Sequence, residues 1–214
     1  RPFDMASGFA TFADRGIYHE PYFVEKAVTD GGAGRIVYEH EKSKGERVMK
    51  KKVADNVSSA LQPIASYSNN HGLKNGRPSA AKTGTVQLGD TGKNRDAWMV
   101  GYTPQVSTAV WFGTQNGTAL TTKDGADVWG ATLPSDVWQE AMNGAHKDLP
   151  VQQFPTPDPI GGQAGYPYQG GTSSTDKDKD TKKNKDDDDE DKLFDDITIT
   201  RPTLPGIPGI ENPL

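Results

Sequence analysis

The stretch SAAKTGT, residues 79–85, holds two overlapping patterns that compete for one lysine. Ser79-x-x-Lys82 is the spacing at which a lysine amine activates a serine hydroxyl, and Lys82-Thr83-Gly84 is a pattern in its own right. They make opposite demands on the backbone. Side chains three apart share a face on a helix but point to opposite faces on a strand. Pro78 ahead of the stretch and the β-branched Thr83, Thr85 and Val86 favour a strand. Gly84 adds to this, since it would weaken a helix interior by about 1 kcal/mol relative to alanine. Ser79 is therefore a poor nucleophile, and Lys82 belongs to Lys-Thr-Gly-Thr.

The neighbours of that strand define the fold class. AAKTGTVQ, DAWMVGYT and VSTAVWFGT are β-rich runs separated only by LGDTGKNR and PQ, connections too short for crossovers, so the three strands are antiparallel neighbours. Upstream, Phe3, Ala6, Phe9, Ala10 and Ala13 repeat at helical spacing over residues 3–14, with Gly16 as a stop. PYFVEKAVTD and RIVYEHE around GGAG read as a hairpin. Val53, Val57, Leu61 and Ile64 form the stripe of a second helix over 53–66, closed by the polar loop YSNNHGLKNGRP. After Pro134, residues Val137, Trp138, Ala141, Met142 and Ala145 line one face of a last helix. The pattern predicts an α+β fold, an antiparallel sheet flanked by helices.

Charge divides the chain differently. Its 214 residues are only 33% hydrophobic, and from Asp176 to Leu214 there are 12 acidic against 7 basic side chains, with 17 against 17 before them. A charge-balanced body gives no reason to expect a nucleic-acid surface, which should show clustered Lys and Arg. Residues 1–149 read as the folded part and 150–214 as a Pro/Gly-rich and charged tail, largely disordered from 155 onward, because DKDKDTKKNKDDDDEDK cannot bury enough apolar surface to offset its ordering entropy. ITITRPTLPGIPGI near the end reads as part of that solvated tail, the alternative being an extended Pro-containing segment that docks on a partner. The absence of cysteine excludes disulfides and thiolate metal sites. No apolar run reaches the length of about 18 residues that a spanning helix needs. The chain opens at Arg1 inside a helical pattern, which reads as a segment of a longer protein.

Other candidate chemistry is weak. LGDTGKN lacks the phosphate-loop pattern, which requires Gly at 87 and Ser or Thr at 94, where Gln87 and Asn94 stand. His19, His40, His71 and His146 show no metal-ligand spacing and are expected at the surface or in loops, so no metal is expected. Asp96 reads as a turn or ion-pair carboxylate, and Trp98, Trp111 and Trp138 read as core.

Taken in order, FDMASGFATFADRGIYHEPYFV, GRPSAAKTGT, RDAWMVGYTP, TAVWFGT and LPSDVWQEAM resemble the C-terminal half of the transpeptidase domain of class A penicillin-binding proteins, over roughly residues 1–145. The resemblance implies the penicillin-binding protein and serine β-lactamase fold, incomplete in this chain. It implies a serine D,D-transpeptidase that cross-links peptidoglycan stem peptides of the D-Ala-D-Ala type, is acylated by β-lactams and needs no cofactor. Lys82 would attract anionic substrate and position protons, Thr83 and Thr85 would bind the substrate carboxylate, Gly84 would let substrate backbone come close, and the Thr85 N–H would be one of two oxyanion donors. Alternation places Lys82 and Gly84 on one side and the threonines on the other, so such a site needs a twisted edge strand approached edge-on.

The sequence departs from the family where the nucleophile should be. Its Ser-x-x-Lys and Ser-x-Asn motifs precede Lys-Thr-Gly by a long stretch, whereas SNN at 68–70 is too close and STDK at 174–177 lies in the tail. The chain alone is therefore expected to be inactive, its partner being the N-terminal part of the same protein. The resemblance further implies an upstream glycosyltransferase domain, a membrane anchor outside this chain, and a place at the extracytoplasmic face of the bacterial plasma membrane. A D,D-carboxypeptidase or β-lactamase-like hydrolase of the same fold remains an alternative. So does a non-catalytic β-lactam-sensing or envelope-binding module.

Overall fold

The computed structural model describes residues 1–29, 34–42 and 44–159. In chain order the elements are α1 (Pro2–Ala13), β1 (Ile17–Tyr18), β2 (Lys26–Val28), β3 (Ile36–Glu39), β4 (Glu46–Arg47), α2 (Lys51–Leu61), α3 (Ile64–Tyr67), a 3-10 turn (Lys74–Gly76), β5 (Ala80–Gln87), β6 (Asn94–Tyr102), β7 (Ser107–Gly113) and α4 (Leu133–Ala145). The expected hairpin is the antiparallel pair β2–β3, whose turn residues 30–33 lie outside the described residues, and β1 pairs with β4. The three runs after residue 79 form one antiparallel sheet in the order β5–β6–β7.

Helices cover both faces of that sheet. Neighbouring residues of β6 show the division, because successive strand side chains point to opposite sides. Tyr102, fully buried, meets Phe9 and Phe12 of α1 and Phe154, with ring centroids 6.1, 6.4 and 5.7 Å away, and its hydroxyl lies 2.8 Å from Ser58 Oγ of α2. On the other side, at Gly101, Trp138 of α4 lies flat enough on the strand that a Cβ at 101 would stand 2.6 Å from its ring. Met99, Ala81, Trp138 and Met142 form the core there with Ala65 and Leu73. A second cluster, Ala97, Leu120 and Val128 with Phe112, extends under the far end of the sheet.

The helices exist where periodicity places them, except that the single helix expected over 53–66 is broken at Gln62–Pro63 into α2 and α3, since proline lacks the N–H that would continue the ladder, and their buried faces are turned. In α1 Thr11 is buried, whereas Ala10 is exposed and Phe3 stacks on Phe23. In α2 and α3 the stripe runs through Ala54, Ser58 and Ala65, with Val53 at the margin. Its small residues let α2 come close enough for Ser58 to reach Tyr102, and its buried Asp55 receives Arg15 Nε at 2.9 Å from the end of α1. In α4 the buried residues are Pro134, Ser135, Trp138 and Met142, followed by His146, while Val137, Ala141 and Ala145 are exposed.

Three further expectations are corrected. His71 and His146 are buried rather than in surface positions: His71 lies between the Ser68 carbonyl and Asp136, and His146 lies between Thr103 Oγ1 at 2.8 Å and the Met142 carbonyl at 2.7 Å. Trp138 is core, but Trp111 is 42% exposed, and its indole N–H donates to Asp96. Residues 150–159, assigned to the tail, run as an extended strap with packing that a solvated segment would lack. Arg77 donates to the Leu149 and Pro150 carbonyls at 2.6 and 2.9 Å, Phe154 packs on Tyr102, and Asn56 donates to the Asp158 carbonyl at 2.8 Å. Folded packing thus continues past 149, and the rest of the expected tail, 160–214, lies outside the described residues.

Burial pushes the Tyr102 phenol up from 10.0 to about 12, against the opposing effect of its hydrogen bond to Ser58. The folded chain thus keeps a proton that the unfolded chain releases near pH 10, so this contribution is complete below pH 10 and disappears as pH rises through 12. Denaturant unfolding between pH 9 and 12 is expected to lose up to about 1.4 kcal/mol per pH unit in that window, and Tyr102→Phe to remove that part of the slope. Equal slopes in both proteins would refute the assignment.

Candidate active site

Among the described residues β5 is an edge strand, paired only with β6, and Lys82–Thr85 lies in its middle. An edge strand leaves N–H and C=O groups unpaired on its open side, at every second residue. Lys82 and Thr85 are exposed, and Thr83 and Gly84 are half-buried. Lys82 Nζ donates to the Thr83 carbonyl at 2.8 Å, and no carboxylate pairs with it among the described residues.

The two faces of β5 differ as alternation requires. Gly84 lies opposite Trp98 in the ladder, and a Cβ on it would stand 3.3 Å from the Trp98 Cβ. Thr85 faces the α4 side, where its Oγ1 accepts the Gly130 N–H at 3.2 Å. Beyond Gly84, opposite Val86, Asp96 accepts Arg95 Nε at 2.8 Å and Trp111 Nε1 at 2.9 Å. Those bonds, Arg95 first, hold the Asp96 carboxyl below the usual range, so it serves as an ion-pair residue as its sequence position suggested.

Ser79 is buried just before β5, and no hydrogen bond joins it to Lys82. Ser68 ends α3 and engages His71 through its carbonyl. Ser174 lies outside the described residues. Among the described residues no group of three or more His, Cys, Asp or Glu side chains is placed to hold a metal ion, and no helix is long and apolar enough to cross a membrane.

Sequence reading missed the segment behind Thr85. Residues 129–132 form a turn in which Trp129 N donates to Thr132 Oγ1 at 3.0 Å and Thr132 N donates to the Trp129 carbonyl at 3.0 Å. Ser135 Oγ donates to the Gly130 carbonyl at 2.7 Å, and Asn69 Nδ2 to the Ala131 carbonyl at 2.9 Å. The available signal was WGATLPS, a glycine and Thr132 immediately ahead of a helix that starts at Leu133 and carries Pro134 in its first turn.

A profile described as "Penicillin binding protein transpeptidase domain" matches residues 2–128. The chain belongs to this family, among its class A members. It is 56% identical over 169 residues to Penicillin-binding protein 1A of Mycolicibacterium smegmatis and 51% identical over 168 residues to Penicillin-binding protein 1A of Mycobacterium tuberculosis, in each case over 78% of this chain. It spans 21% and 20% of those two relatives. Among solved structures it matches the PonA1 protein of M. tuberculosis in complex with penicillin V, with a TM-score of 0.70 and 52% identity over 78% of this chain and 44% of that one. Another structure of PonA1 gives a TM-score of 0.71 at 46% identity over 86% of this chain and 47% of that one.

Gly84→Ala is expected to destabilise the chain by about 1–3 kcal/mol in denaturant unfolding, as overpacking does where neighbours cannot retreat. Trp98 stands on one side and the Gly130 backbone on the other. In a Trp98→Ala background the cost should shrink; an unchanged cost would show that Trp98 is not the obstacle.

Proposed function

We propose that this chain supplies the Lys-Thr-Gly-Thr side of a peptidoglycan D,D-transpeptidase site that β-lactams acylate. The observation that supports it most is the open, exposed edge at Lys82–Thr85, in a chain about half identical to the mycobacterial 1A proteins. The Lys82 ammonium attracts the substrate carboxylate and positions protons at the attacking serine. The hydroxyls of Thr83 and Thr85 bind that carboxylate, and Gly84 lets peptide backbone lie close to the strand. The Thr85 N–H holds the oxyanion formed when the serine Oγ adds to the carbonyl of the D-Ala-D-Ala bond. Collapse of that intermediate releases the terminal residue, and the amine of a second stem peptide then takes the acyl group.

The serine, its Ser-x-x-Lys lysine and the Ser-x-Asn motif are contributed by a more N-terminal part of the same protein. That protein also carries a glycosyltransferase domain and a membrane anchor, and works at the extracytoplasmic face of the plasma membrane in the cell envelope.

Intact-mass spectrometry under denaturing conditions, after exposure to penicillin V, tests the division of labour. The full-length protein should gain one antibiotic mass and this chain alone none. In the full-length protein Lys82→Ala should slow acylation by about 100-fold or more. Acylation of this chain alone would return Ser79 or Ser68 to candidacy, and failure of the full-length protein to acylate would overturn the proposal.

A further inference from the structure

The Trp129–Thr132 turn approaches β5 more closely than any side chain would allow. A Cβ on Gly130 would lie 2.6 Å from the Trp98 carbonyl oxygen, 2.7 Å from the Gly84 carbonyl oxygen and 3.0 Å from the Gly84 nitrogen, all of them ladder backbone that cannot yield. Only glycine brings a backbone N–H to 3.2 Å from Thr85 Oγ1 at this place. The turn is held from behind by Ser135 Oγ on the Gly130 carbonyl, by Asn69 on the Ala131 carbonyl and by its own Trp129–Thr132 bonds. Asp136, next to Ser135, also fixes His71 at 2.8 Å, so the loop that carries Asn69 and the start of α4 are tied together.

A threonine hydroxyl has one proton and two acceptor positions, and its proton turns to whichever acceptor is offered. At Thr85 the Gly130 N–H fills an acceptor position and keeps the hydroxyl proton out of that direction. No acceptor among the described residues takes the proton. Accepting a hydrogen bond also polarises the O–H and makes it a stronger donor.

We infer that Gly130 is a positioning residue for β-lactam and stem-peptide recognition: its N–H sets the Thr85 hydroxyl as a donor aimed at a carboxylate on the open edge of β5. Gly130 touches no substrate and acts only through Thr85. This inference rests on the reading of Thr85 as a carboxylate ligand.

The test uses the full-length protein and measures acylation rate constants for penicillin V and for its methyl ester, which lacks the anionic carboxylate. Gly130→Ala, which forces the turn off β5, should slow acylation by penicillin V by about 10- to 100-fold, the range for a hydrogen bond to a charged group. The ester rate should stay within about 2-fold, a margin well inside one such bond. Thr85→Val should show the same selective loss, and the double variant should be no slower than Thr85→Val alone. Ser135→Ala, which frees the Gly130 carbonyl without adding bulk, covers the case in which Gly130→Ala does not fold, and it should show a smaller loss in the same direction with the same dependence on Thr85. If losses at Gly130 or Ser135 multiply with that of Thr85→Val, or fall equally on acid and ester, or are absent, the inference is overturned while the role of Thr85 stands. If Thr85→Val itself acylates at the wild-type rate, the underlying reading of Thr85 fails, and the inference with it.

Discussion

The contact on which the rest of the structure depends is that of Trp138 with Gly101. The indole rests where a Cβ would be, within 2.6 Å of its ring, and this sets how near α4 lies to β6. That spacing is passed along the helix in both directions. Towards its start, Ser135 and the turn ahead of it reach Gly130, which lies against Gly84. Towards its end, His146 reaches Thr103, whose hydroxyl also accepts the backbone N–H groups of Gln105 and Val106 and so shapes the corner between β6 and β7. A bulkier residue at 101 would lift the helix and with it both ends of this arrangement.

The strands β2, β3 and β5–β7 were legible because they carry β-branched and aromatic residues in short, turn-bounded runs, whereas β1 and β4, two residues each, offer no such run. The helices were legible in place but not in rotation. Hydrophobicity assigned Val53, Ala10 and Val137 to the interior, whereas the structure buries Ser58, Thr11, Ser135, Asp55 and His146. Each of these polar groups has a partner that comes from another part of the chain or from a neighbouring turn, and no unsatisfied buried side-chain atom is found among the described residues. A periodicity count scores such residues as exposed because it cannot see the partner that makes burial affordable.

The same limit applies at the site. Lys82–Thr85 could be picked out because its four residues are contiguous and resemble a known motif. Gly130 is 45 residues away from the Thr85 hydroxyl it meets, and nothing in WGATLPS names that destination. What folding adds is the pairing of a motif with its support: an edge strand short of neighbours on its open side is held in shape from its covered side, by backbone groups where side chains would not fit. Preorganisation of this kind lets polar groups meet an anion without first having to rearrange.

The strap from Leu149 to Pro159 has a mechanical consequence. It is fastened at Arg77, at the Tyr102 ring and at Asn56, three anchorages in series along about ten residues of extended chain. Tension entering at residue 159 meets the Asn56 bond first and the Phe154 ring next, and reaches α4 only after the Arg77 bonds have given way. Since α4 carries the support beneath Gly84, the strap works as a strain relief, isolating the Lys-Thr-Gly-Thr edge from forces transmitted by the chain that follows.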